Sequence, residues 1–214
     1  MSDEVLTLEN ISYGSTEAAP LINRISLRLC RGEVLWIVGP PGSGKTTLLE
    51  ILIKEKKPSS GKGYFLKQPL FRKISLSRQR LRRQISVICQ QDSLFPHRTV
   101  IENVILPMKI AGVDSQASRL RASEAIRQVG LVGKIQAQVA TLTPNESRIV
   151  TLAQALAKLP PLILADLNSC EFDQKVIVQH LLRASTYGSA VIFFSRQRPQ
   201  EVPLLRSNME VSLA

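Results

Sequence analysis

The stretch VLWIVGPPGSGKTTLLEILI, Val34 to Ile53, decides the fold. Its first five residues form a continuous apolar run, the mark of a strand buried on both faces. The run stops at GPPGSGKTT, Gly39 to Thr47, which fits G-x-x-x-x-G-K-[ST] at every fixed position. KTTLLEILI then reads as a helix. Strand, glycine-rich turn and helix in that order make a phosphate cradle. The glycines let backbone N–H groups converge on phosphate oxygens, and the helix start adds partial positive charge. Nucleotide binding is therefore assigned to Gly39, Pro40, Pro41, Gly42, Ser43, Gly44, Lys45, Thr46 and Thr47. Lys45 is placed to reach the β and γ phosphates and Thr46 to set its hydroxyl on Mg2+.

Working outward, LILAD, Leu162 to Asp166, is a second buried run and ends in a carboxylate. An aspartate there supplies part of the Mg2+ shell, usually through water. ISVIC and AVIFFS are further buried strands. VLTLENISY and LINRISLRLCRGE instead alternate apolar and polar residues, with Ile25, Leu27 and Leu29 pointing one way before a turn at Arg31-Gly32. Leu106 to Val132 is helical in character, broken at Gly112. NESRIVTLAQALAKL is the clearest helix, with Ile149, Leu152, Ala153 and Leu156 at helical spacing. Strands alternating with helices predict a parallel α/β sheet. The alternating strands that come first predict a separate antiparallel β layer.

The chain has 214 residues, enough for one domain with a sizeable core, and its 44% hydrophobic and 21% charged content fits a globular protein. No apolar run approaches the roughly 20 residues of a membrane span. The acidic start lacks the basic and apolar regions of a signal peptide, so a cytosolic location is expected. Cys30, Cys89, Cys170, His97 and His180 show no ligand spacing and are read as structural or incidental. The net charge is +11, and residues 54–83 carry nearly all of it, with eleven Lys/Arg against the single acid Glu55. Such a face suits acidic lipid, an acidic partner or nucleic acid, or is simply solvated.

SVICQQDSLFPHRTVIENV, together with RRQISVICQQ, ENVILPMKIAGV and VGL, resembles the ATP-binding cassette (ABC) ATPases, in particular the branch with the cell-division and lipoprotein-release ATPases. The resemblance runs from about Val5 to about Val211. It implies a P-loop NTPase of ABC type: one α/β domain over residues 1–214, with an N-terminal antiparallel β layer and a helical subdomain inserted at about 93–155. It makes Tyr13 the adenine-stacking aromatic, Gln90 the glutamine that contacts Mg2+ and the attacking water, and Asp173 the D-loop aspartate. It implies ATP and Mg2+ as cofactors. It also implies a homo- or heterodimer with each ATP between one P-loop and the other subunit's signature helix. An integral membrane subunit would hold the protein on the inner face of the membrane.

Three departures from the family bear on hydrolysis. Leu167 stands at the catalytic glutamate position and offers no acceptor to orient and deprotonate water; Glu171 is a weak substitute, four residues on. Arg196 stands at the switch-histidine position, a fixed cation in place of a neutral relay. LTPNE, Leu142 to Glu146, replaces the Leu-Ser-Gly-Gly-Gln signature, with a proline that has no N–H to give. Thr143-Pro144-Asn145-Glu146 instead matches a capping box, with proline at the first helical position. No catalytic residue is assigned. The expectation is an ATP-binding subunit of a transport or envelope complex with impaired or absent hydrolysis. The alternatives are an active transporter ATPase working with a partner, a P-loop nucleotide kinase, and a nucleic-acid-linked ABC ATPase. The kinase reading suffers because some 38 residues precede the loop and the Gln90 segment goes unexplained. Nucleic acid is not expected, because the long coiled coils or zinc modules of such ATPases are missing.

Overall fold

The computed structural model describes residues 3–14, 19–88, 94–168, 174–198 and 208–213. Two sheets form. The first contains β1 (Glu4–Tyr13), β2 (Ile22–Cys30), β4 (Ser60–Phe65) and β5 (Gln68–Pro69), antiparallel in the order β2-β1-β4-β5. The second contains β3 (Val34–Val38), β6 (Ile85–Ile88), β7 (Leu162–Asp166), β8 (Ala190–Ser195) and β9 (Asn208–Ser212), all parallel in the order β6-β7-β8-β3-β9.

The continuous apolar runs are explained by what lies on either side of the parallel sheet. Side chains along a strand alternate faces. Val34, Trp36 and Val38 join one apolar cluster with Ile163, Ala165, Val191 and Phe193, and Trp36 stacks on Phe193 with ring centroids 4.4 Å apart. Leu35 and Ile37 join another with Leu164, Ile192, Phe194 and the inner residues of β1 and β2. The second cluster is roofed by α1 (Lys45–Leu52), and the first by α3 (Val100–Ile110), α4 (Ser115–Gln128), α5 (Pro144–Lys158) and α6 (Gln174–Thr186). The alternation in the first sheet is re-phased by residues bulged into positive φ, Asn10 (φ 50°) and Arg24 (φ 49°), whose N–H groups donate to Ser26 Oγ and Ser12 Oγ.

The helical expectation for Leu106 to Val132 needs correction. The first helix starts earlier, at Val100, behind a capping box made by Thr99 and Glu102, and ends at Ile110. The break does fall at Gly112, with φ +84°, and α4 ends at Gln128; Val132 begins a short 3-10 turn. The structure adds α2 (Arg78–Gln84), α6 and β9 to the elements expected from the sequence. Among the described residues, no helix is long and apolar enough to cross a membrane.

Candidate nucleotide site

Strand register brings the predicted residues to one edge. Val38 pairs with Ser195, and Asp166 pairs with Phe194. Gly39, Arg196 and Leu167 therefore leave the sheet side by side, with β8 between the strand carrying the loop and the strand carrying Asp166. At Gly39 a Cβ would lie 2.6 Å from Leu213 O, so only glycine fits beneath the end of the chain. Gly44, with φ +89°, is the N-cap of α1 and makes no side-chain cap, and the first turn of the helix holds no acid. That helix start is open, with its N–H groups and dipole left to a ligand.

Lys45 is buried and bends back over the loop. Its ammonium donates to Gly39 O (2.6 Å), Pro40 O (2.7 Å) and Ser43 Oγ (3.1 Å). Burial pushes the Lys45 ammonium below the usual lysine range; nearby Asp166 opposes this and Arg196 adds to it. The three charges thus share one small region. Thr46 is exposed beside Lys45, while Thr47 packs inward.

Asp166 is only 3% exposed. Its Oδ1 accepts from the backbone N–H of Asn168 (3.0 Å) and from Asn168 Nδ2 (3.3 Å), which fixes the carboxylate. The sequence signal for Asn168 is faint: an Asp-x-Asn pair after a strand, where side chains bond the backbone two residues on. Leu167 is 1% exposed and packs in the apolar cluster with the helices. Its N–H donates to Phe194 O (2.9 Å) and its carbonyl accepts from Gln174 Nε2 (2.8 Å), so the backbone that aims this side chain is tied at both ends.

The capping box at α5 is complete. Thr143 Oγ1 accepts from Glu146 N–H (3.3 Å), and Glu146 Oε2 accepts from Thr143 N–H (3.0 Å), with Pro144 at the start of the helix. Lys134 holds the other oxygen of Glu146 at 2.6 Å. These bonds hold the Glu146 carboxyl below its usual range, Lys134 contributing most. Tyr13 is half-buried at the end of β1, opposite Ile22, and Ile22 and Leu21 flank Gly44. Lys56 Nζ lies 5.7 Å from the Tyr13 ring centroid. Gln90, Glu171 and Asp173 fall outside the described residues.

The donors suit Mg2+ in kind. Thr46 hydroxyl and Asp166 carboxylate are hard oxygens, the ligands this ion takes, and it usually keeps several waters and its substrate phosphates. Among the described residues no cluster of three His, Cys, Asp or Glu makes a self-sufficient metal cage.

Comparison with known proteins agrees with this geometry. A family profile described as ABC transporter matches residues 22–167. The lipoprotein-releasing system ATP-binding protein LolD of Maricaulis maris is 36% identical over 170 residues, 78% of this chain and 74% of that protein. The methionine import ATP-binding protein MetN of Mesorhizobium japonicum is 36% identical over 167 residues, 77% of this chain but 45% of that protein, so the chain spans less than half of that relative's length. The ATP-binding cassette MJ0796, solved as a dimer in a post-hydrolysis state with ADP and Pi, superposes with a TM-score of 0.72 at 28% identity, covering 90% of this chain and 88% of that one. The fold is also shared with cbiO1 from Clostridium perfringens, part of the ABC transporter complex cbiONQ (TM-score 0.76, 22% identity, 91% and 79% covered). With the loop, the strand order and these matches in agreement, the chain belongs to the ABC transporter family of ATP-binding proteins.

Proposed function

We propose that this chain is the ATP-binding subunit of a membrane-associated ABC complex, of transport or envelope type, and that it holds Mg·ATP while hydrolysing it weakly or not at all. The observation that carries the second half is Leu167. The position after the Mg2+ aspartate is an apolar side chain built into the core. In this reading the loop N–H groups and the open start of α1 bind the phosphates, and Lys45 and Arg196 neutralise them. Thr46, Asp166 and Gln90 hold Mg2+, which supplies further charge neutralisation, and Tyr13 receives the base. No described residue at the Leu167 position takes a proton from water. Removing a general base costs about 10²–10⁴-fold in rate. A retained nucleotide still has an effect, since ligand at a hundred times its Kd stabilises the bound form by about 2.7 kcal/mol.

The family resemblance supports pairing of two cassettes around ATP and attachment to an integral membrane subunit on the inner face of the membrane. The named relatives act in methionine import and lipoprotein release; the cargo here is set by the membrane subunit. The test combines calorimetric titration with Mg·ATP and a phosphate-release assay on the same purified protein. Saturable binding with release near the uncatalysed level is expected. Robust turnover by the unmodified protein alone would overturn the reading.

A further inference from the structure

The nucleotide site uses few of the cations that make this chain basic, and the rest are not scattered. A cleft of about 600 Å³ opens beyond the C-terminus of α1, lined by Lys54, Lys56, Lys57, Phe71, Arg72 and Lys73 among others. It is separated from the phosphate loop by the length of that eight-residue helix, about 12 Å. We infer that this cleft and the loop at its rim, residues 72–74, form a docking surface for an anionic lipid bilayer. This stands apart from the nucleotide reading and is tested without nucleotide.

Internal partners account for only part of the charge. The one acid of the cleft, Glu55, is shared by Arg78 (2.6 Å) and Arg82 (2.7 Å). Lys56 is engaged by Glu50 at 2.8 Å. Lys54 donates to Leu76 O (2.6 Å) and Ser75 Oγ (3.0 Å) and so fastens the rim loop to the end of α1. Leu76 is buried and its N–H donates to Pro69 O. Phe71 folds inward against Gly63, where a Cβ would clash at 2.5 Å. The loop is therefore held from both sides, and it turns Arg72, Lys73 and Ile74 outward. Ile74 is 91% exposed. Lys57, Arg72 and Lys73 are exposed too, and no acid among the described residues pairs with them.

A bare β-branched residue at the tip of a held loop, with cations on both flanks, distinguishes the candidate partners. A phosphodiester backbone offers the cations what they need but nothing to an isoleucine, and the aromatic of this loop is turned away from any base. An acidic bilayer serves both: headgroups meet the cations, and the interfacial region takes the aliphatic side chain.

The experiment is flotation of the full chain with vesicles of phosphatidylcholine, with and without phosphatidylglycerol, at rising salt. Binding is expected only with phosphatidylglycerol, and salt weakens it as the Debye length shortens. The triple variant Lys57→Gln, Arg72→Gln, Lys73→Gln is expected to lose about a hundredfold in partitioning, roughly fivefold per cation. Ile74→Ser is expected to lose about threefold to tenfold, and more than that residue contributes to any soluble anion. Lys62→Gln with Lys67→Gln, basic residues of the β4–β5 hairpin outside the cleft, is expected to leave binding within about twofold. All the substituted side chains are exposed, so an unchanged melting temperature certifies each variant. Four results overturn the proposal: equal binding to neutral vesicles, an equal loss in the Lys62/Lys67 control, displacement by millimolar glycerol phosphate, which marks a free-anion site, or tighter binding of duplex DNA or an acidic peptide through the same three cations.

Discussion

Helices α1 and α5 begin in opposite ways. α1 starts at a left-handed glycine with no side-chain cap and no acid in its first turn. α5 starts at a threonine, has proline at its first position, and closes a reciprocal box with Glu146, itself held by Lys134. Family resemblance assigns a phosphate contact to both starts. Physically, one helix end leaves its N–H groups and dipole to a visitor, and the other spends them on its own side chains. The same division runs through a single peptide bond at the end of β7. Asp166 is held for the ligand side, and Leu167 goes into the interior. In the proposed reading, these local choices add up to a chain that grips the nucleotide and splits it weakly.

The comparison breaks most readily at Leu167. Leu167→Glu is the obvious attempt to restore a general base, and the packing argues against success. A buried carboxyl is raised by about 3 units or more, worth about 4 kcal/mol at 1.36 kcal/mol per unit. The variant is expected to be destabilised by about that amount at neutral pH and to release no more phosphate than the parent. The raised carboxyl keeps its proton in the folded state after the unfolded chain has lost it. Stability of the variant should therefore fall as pH rises above the ordinary glutamate range, and recover on acidification. Urea denaturation at two pH values checks this. A stable variant that releases more phosphate than the parent would show that the side chain swings out with ease and that this one position limits turnover.

Lys45→Ala tests the open side. Its ammonium is the charged donor that the loop itself supplies, and bonds from a charged group are worth about 1.5–3 kcal/mol, roughly tenfold to a hundredfold in Kd. Calorimetry should show that loss for Mg·ATP. A tight-binding Lys45→Ala would mean that Arg196 and the helix start carry the phosphates by themselves.

The open and closed starts are both legible in the sequence, and other parts of the molecule are not. The loop at Gly39–Thr47 and the strands β3, β7 and β8 are readable because each is a local pattern with one physical solution: apolar on both faces, then glycine where side chains cannot fit. The box at Thr143 is readable for the same reason. Its twin at Thr99 is harder to read, because Val100, Ile101, Val104 and Ile105 are β-branched and favour strand locally. Burial of Val100, Val104 and Met108 overrides that preference. The edge strand β9 is hard to read because NMEVS holds no continuous apolar run; among the described residues its ladder is to β3. The burial of Leu167 and the clamp of Asn168 on Asp166 depend on which way one turn leaves the sheet, which no run of residues encodes.

Thr143→Ala sharpens the closed side. Loss of an N-cap costs about 1 kcal/mol, which lowers the melting temperature of a chain this size by about 2–4 °C. ATP affinity of the isolated chain should stay unchanged. A variant with full stability but altered nucleotide-dependent association would return Thr143 to the signature role and dissolve the contrast with α1.

The smallest effect lies at the other end of α5. Lys158 Nζ donates to Arg82 O (2.8 Å) and Ile85 O (2.5 Å), so this helix is tied to the entry of β6 as well as capped at its start. Burial pushes the Lys158 ammonium down to about 8. The two carbonyls favour the charged form and limit the fall. A lysine lowered in the folded state sheds its proton there before the unfolded chain does. Between about 8 and the ordinary lysine value of about 10.4, the unfolded state thus binds more protons and stability rises with pH. From pH 7.5 to pH 8.5 the wild type should gain roughly 0.7 kcal/mol relative to Lys158→Met in parallel urea titrations. Equal slopes would show that this ammonium keeps its water, which confines the closure of α5 to its first turn and leaves Glu146 as the group that denies that helix start to a phosphate.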